Sequence, residues 1–204
     1  MSKSRKVQLE KKIMIFLSSG VFIFSGLYAS NVQAAPVFSS GSASDSTVAG
    51  VNNTASANSS SAFGYFNTAG GLASSAFGWS NTASAENASA FGYGNTASGY
   101  VGNAIGSMNT ASGSYASAVG YKNTASGVKS NAIGNENTAS EEYTNAVGAG
   151  NRVSGYASSA FGNNNEVTAE FASAFGHSNN ISGYVSNVLG YDLSLIHISE
   201  PTRP

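Results

Sequence analysis

One asparagine recurs at positions 53, 67, 81, 95, 109, 123, 137, 151, 165 and 179, ten times at a spacing of 14 with no insertion. A glycine keeps the same step from 64 to 190, with Gly50 as a weaker first copy. A fixed period of this kind restricts the chain to a repeat architecture, in which each unit contacts only its neighbours. The unit is S-A-[FIV]-G-Y-x-N-T-A-S-G-x-x-[SAG]. It holds two short alternating segments separated by Gly- or Asn-bearing corners, which predicts two strands per coil and no helix. The fold class is therefore all-β, a parallel β-solenoid of about ten 14-residue coils stacked about 4.8 Å apart into a rod about 50 Å long.

Ten copies show which positions vary within one molecule. The residue two after each Asn is Ala55, Ala69, Ala83, Ala97, Ala111, Ala125 and Ala139, then Val153, Val167 and Ile181. It stays apolar and is expected to point inward. Its neighbour runs from Thr54 to Thr138 and then becomes Arg152, Glu166 and Asn180. A buried position does not accept such charges unpaired, so this column is expected to face solvent.

In the other strand the large apolar column is Phe63, Phe77, Phe91, Ile105, Val119, Ile133, Val147, Phe161, Phe175 and Leu189. It is expected to be the core scaffold, which by alternation puts its flanking residues on the opposite face. Those include Ala62, Ala76, Ala90, Ala104, Ala118, Ala132, Ala146, Ala160 and Ala174. A column that never becomes bulky implies close approach of another backbone, making it the candidate subunit interface. A narrow coil also buries little apolar area alone, and association would add burial. The repeated Asn suits either a hydrogen-bonded ladder or a left-handed corner.

Charged residues are only 9% of the chain. Lys3, Arg5, Lys6, Lys11 and Lys12 cluster ahead of an apolar run over 13–29, which is followed by small residues up to Ala34 and Ala35. This order reads as a secretory signal over 1–34, cleaved between Ala34 and Ala35, and hence as export. A leader follows over 35–47, then the repeats over 48–192. Across 35–192, Lys122, Lys129 and Arg152 face eight acids, a net charge of −5. That excess argues against nucleic acid as a partner.

No catalytic or metal constellation is expected, and no cofactor. The chain has no Cys, and His177 has no second His beside it. No Ser lies in G-x-S-x-G. Adjacent Glu141 and Glu142 would point to opposite faces of a strand. The chain is read as a non-enzyme. Tyr65, Trp79, Tyr93 and Tyr121 follow the repeat glycine and form a candidate ligand surface, against the alternative that they shield the core. Outward Thr/Ser pairs such as Thr96 and Ser98 admit an ice-binding reading, and a spacer within a surface fibre is a further alternative.

Units such as SAFGYGNTASG (89–99) and SAVGYKNTASG (117–127) resemble the YadA-like, haemagglutinin-type head repeats of trimeric autotransporter adhesins. The likeness covers roughly 48–192. It implies a left-handed parallel β-roll, a homotrimer, and adhesion to a host matrix protein or glycan at the cell surface or outer membrane. The stalk and membrane anchor of that family are not visible in this sequence, which points to a C-terminally truncated piece. The period stops at 193, where LSLIHISEPTRP (193–204) resembles the translation of a sequencing adapter and is set aside as non-native.

Overall fold

The computed structural model describes residues 38–195, all within one compact unit, Pro36–Pro204. The export signal, its cleavage point at Ala34 and Ala35, and residues 196–204 lie outside the described residues. Within them the fold is an all-β parallel solenoid without helix.

β1 (Phe38–Ser40) is followed by β2 (Thr47–Val51) and β3 (Thr54–Ala55), and this long–short alternation then repeats every 14 residues. The long strands form a 12-stranded sheet that includes β1, and the short ones an 11-stranded sheet, giving eleven coils. Pairing is parallel and in register at one period. Ala104 lies between Ala90 and Ala118, and Thr110 between Thr96 and Thr124. Only β1 runs antiparallel. It pairs Phe38 with Ala49 and Ser40 with Thr47, and so covers the free edge of the first long strand.

Each coil turns its corners on residues with positive φ. One sits six residues after the Asn, as Val101 (φ 54°) and Tyr115 (φ 60°), and the other just before it, as Met108 (φ 58°) and Lys122 (φ 52°). The repeat glycine serves a different need. At Gly106 φ is 117°, and a Cβ there would collide with the carbonyl oxygen of Gly120 in the next coil. No other residue type fits that approach.

The Asn itself is the ladder. Asn109 Nδ2 donates to Oδ1 of Asn95 (3.0 Å) and to the carbonyls of Ile105 (3.0 Å) and Gly120 (2.7 Å). Its Oδ1 accepts from the backbone N–H and Nδ2 of Asn123, each at 3.0 Å. The left-handed corner falls on the residue before it, so one coil uses both devices at adjacent positions.

The interior reverses one expectation. Ala62, Ala76, Ala90, Ala104, Ala118, Ala132, Ala146, Ala160 and Ala174, read as the subunit interface, are all 0% exposed and form the core. Phe63, Phe77, Phe91, Ile105, Val119, Ile133, Val147, Phe161, Phe175 and Leu189, read as core scaffold, lie on the outer face of the long-strand sheet. Five of them are 37–42% exposed and Leu189 is 83% exposed. The physical reason is width. The space between the sheets is filled from one side by the Ala62 column and from the other by the Ala69 column, and a phenyl ring has no room there.

The short strand behaves as expected, with Ala69 through Ile181 fully buried and the Thr column half-buried or exposed. The lattice also runs past the expected stop. Ser194–Leu195 pairs with Asn180–Ile181, and the Leu193 N–H donates to Asn179 Oδ1 at 3.1 Å. Leu193 holds the ladder position without an amide to extend it.

Candidate functional site

With the interior limited to Gly, Ala, Ser, Thr, Asn, three Val and Ile181 among the described residues, nearly all large side chains are outside, in three lengthwise stripes. The first is the Phe/Ile/Val column. In-register pairing stacks its rings flat: Phe63 on Phe77 at 4.7 Å, Phe77 on Phe91 at 4.9 Å and Phe161 on Phe175 at 5.0 Å, with planes within 7°. It runs the length of the long-strand sheet as a contiguous apolar stripe, the kind of exposed patch that marks an interaction surface.

The second stripe holds the sequence-predicted ligand residues. Tyr65, Trp79, Tyr93 and Tyr121 are 42–53% exposed at the end of the long strands. Tyr65 meets Trp79 edge-on at 5.9 Å, and Trp79 meets Tyr93 at 5.3 Å. Tyr121 stands apart from them because Ser107 interrupts the column, and Lys122 Nζ lies 5.0 Å from its ring centroid. The Lys122 ammonium is stabilised, first through Tyr121 and then through Glu136 at 3.6 Å, which holds its pKa above the usual lysine value.

The third stripe was not anticipated. Five and six residues after the Asn, at the opposite corner, Tyr100, Tyr115, Tyr143, Tyr156, Phe171 and Tyr184 are 37–59% exposed. They meet edge-on, Tyr100 with Tyr115 at 5.4 Å, Tyr156 with Phe171 at 5.5 Å and Phe171 with Tyr184 at 5.9 Å. These positions are the two unassigned letters that follow the Asn in the repeat unit. The signal that finds them is a period of 28 rather than 14: Glu142, Tyr156, Glu170 and Tyr184 alternate down one column. Tyr115 and the Glu86 carboxylate both raise the Tyr100 pKa.

Among the described residues no cluster of three His, Cys, Asp or Glu side chains is placed to hold a metal. His177 stacks on Tyr191 at 4.9 Å, with a buried Nδ1 that lacks a hydrogen-bond partner. What the arrangement offers is extended aromatic and apolar surface along the coil axis.

The family model for the YadA head domain repeat matches residues 42–67, 69–100, 104–123 and 154–179, together half of the chain. No curated protein matches it.

Proposed function

The chain belongs to the YadA head-repeat family, and from that premise we propose that it is the head of a trimeric autotransporter adhesin, exported and displayed at the cell surface. Three copies associate through the outer face of the long-strand sheet and bind host matrix protein or glycan on the surface left over. The observation that carries this reading is the uninterrupted apolar column from Phe63 to Leu189, left outside a core too narrow to hold it. Covering it removes apolar surface that water otherwise meets, at about 25 cal/mol per Å². The interface thus moves from the Ala column to its neighbour in every long strand. Tyr65, Trp79, Tyr93 and Tyr121 remain the ligand-contact candidates. Fold and family are those of non-enzymatic adhesins.

Sedimentation of the purified chain tests the assembly. A β-rich trimer that becomes a folded monomer in a Phe77→Ser/Phe161→Ser variant is the expected result, and a stable wild-type monomer overturns the reading. Binding to collagen, fibronectin and glycan arrays, with a Tyr65→Ala/Trp79→Ala/Tyr93→Ala variant as comparison, then separates an adhesin from a fibre spacer. A trimer that binds none of them is a spacer.

A further inference from the structure

By alternation, each long strand begins and ends on the outer face that carries the apolar column. Its first residue is only ever Ser or Asn from Ser61 to Asn187, while its last runs through Tyr, Trp, Ser, Asn, Ala and His. The first column is half-buried from Ser61 to Ser173 and lies outside the core, so the narrow lumen that restricts the Ala column does not restrict this one. Hydrogen bonds along it join only Asn131 to Asn145 (2.9 Å) and Asn145 to Ser159 (3.3 Å) among the described residues. A side-chain ladder therefore does not hold the column to two residue types either.

The two ends of a strand nevertheless match in size. Ser61, Ser75, Ser89 and Ser117 stand with Tyr65, Trp79, Tyr93 and Tyr121, whereas Asn103, Asn131 and Asn145 stand with Ser107, Asn135 and Ala149. A ring at the end goes with the smaller residue at the start. The ends lie about 13 Å apart, four residues along the strand with a Phe, Ile or Val between them, so they do not touch within one copy. The central residue does not account for the match, because Ser117 keeps its Tyr121 where the centre is the slim Val119. Towards the end of the stack, Ser173 with His177 keeps the match, and Ser159 with Asn163 and Asn187 with Tyr191 depart from it.

Cyclic symmetry brings such ends together. The long strands from β2 onward all run parallel. Three copies that turn this face to a common axis along the rod therefore carry their strands around it in one sense, the last residue of each running towards the first residue of the next. Rotation about that axis leaves height unchanged, so each coil meets the same coil of its neighbour.

We propose that the seam between copies pairs the last residue of each long strand with the first residue of the same strand in the next copy. Tyr and Trp rings seat over Ser, and Asn fills the levels that have no ring. The seam rests on the trimeric reading above and makes the ligand-contact candidates Tyr65, Trp79, Tyr93 and Tyr121 a site shared by two copies, incomplete without the neighbour's Ser column.

The chain has no cysteine, so disulfide trapping in the full chain tests the pairing. Asn145→Cys/Ala149→Cys, at a level where both ends are small, is expected to oxidise to a covalent trimer on a denaturing gel, because the two thiols of one chain lie beyond disulfide reach. Either substitution alone, and Ser117→Cys/Ala149→Cys, whose thiols sit two coils apart in height, are expected to run as monomers. In sedimentation, Ser117→Tyr sets ring against ring and weakens association about tenfold or more, and Ser117→Tyr/Tyr121→Ser restores it, with circular dichroism unchanged throughout. A wild-type monomer overturns the trimeric reading and the seam with it. A wild-type trimer that yields no covalent trimer, that cross-links equally off level, or whose association the exchange fails to restore overturns the seam alone.

Discussion

Asn109 joins three coils with one side chain, and its removal measures what the ladder contributes. In Asn109→Ala the carbonyls of Ile105 and Gly120 lose a donor, and the Asn123 N–H loses its acceptor. Leaving such groups unpaired costs about 1–3 kcal/mol each, so a loss of at least about 3 kcal/mol is expected in urea unfolding. A smaller loss would mean that water enters the corner and replaces the amide. Val101 provides the opposite case. A β-branched residue at φ 54° is strained, and Gly is at ease there. Val101→Gly is expected to stabilise by about 0.5–1 kcal/mol, the relief of left-handed strain less the extra freedom of Gly in the unfolded chain. Tyr100 carries a pH signature. Its pKa is raised by Tyr115 and Glu86, so its titration at 295 nm is expected above the ordinary value near 10, and lower again in Glu86→Gln. A group whose folded pKa is raised favours folding fully below its unfolded pKa. That contribution is lost as pH rises through the folded value, so the ridge loosens only in strong alkali.

Within one long strand, Ala118 and Val119 are neighbours with opposite duties. Ala118 is sealed between the sheets, and Val119 is half-buried on the outer face. Ala118→Leu overfills the core and is expected to destabilise by about 1–3 kcal/mol or more. Val119→Ser is expected to cost the single chain much less while weakening association, a split that urea unfolding and sedimentation separate. This strand is also where the sequence reads least well. The period, the two strands per coil, the inward Ala55 column and the outward Thr54 column were all legible, because charge at Arg152 and Glu166 marks one face of the short strand as wet. The long strand has no such marker. Alternation fixes that Ala118 and Val119 face opposite ways but carries no sign, and size favours the wrong one. The sign comes from the lumen, whose width both sheets set together. Val153, Val167 and Ile181 show spare room on the short-strand side of the last coils, opposite Ala160 and Ala174, and on the long-strand side a larger buried residue enters the core only at Val188, in the final long strand. The turn ridge escaped for another reason. Its order lies in pairs of coils, and aligning single repeats averages Glu142 with Tyr156 and erases both.

At the scale of the whole molecule the stack is nearly one-dimensional. Each coil hydrogen-bonds to the coils before and after it, and β1 covers one edge. Stability in such a stack is a sum over coils and their interfaces rather than a property of one closed core. Removing one full period is therefore unlike removing part of one. Deleting 103–116 joins Gly102 to Ser117, returns a long strand to its place, and sets Asn123 on Asn95 in an unbroken ladder. The shortened chain is expected to fold with the same circular dichroism per residue and to unfold at modestly lower urea. Deleting 103–109 removes half as much chain but brings Thr110, a short-strand residue, to the position of a long one. Ala111 would then meet the wrong sheet, Asn123 would find no Asn95 below it, and each later coil would be out of phase with those before. That variant is expected to lose cooperative unfolding and to aggregate, or to fold only as separate blocks on either side of the cut, visible as two transitions. If both deletions fold equally well, register is not what holds the coils together, and the Asn ladder cannot be the element that sets it.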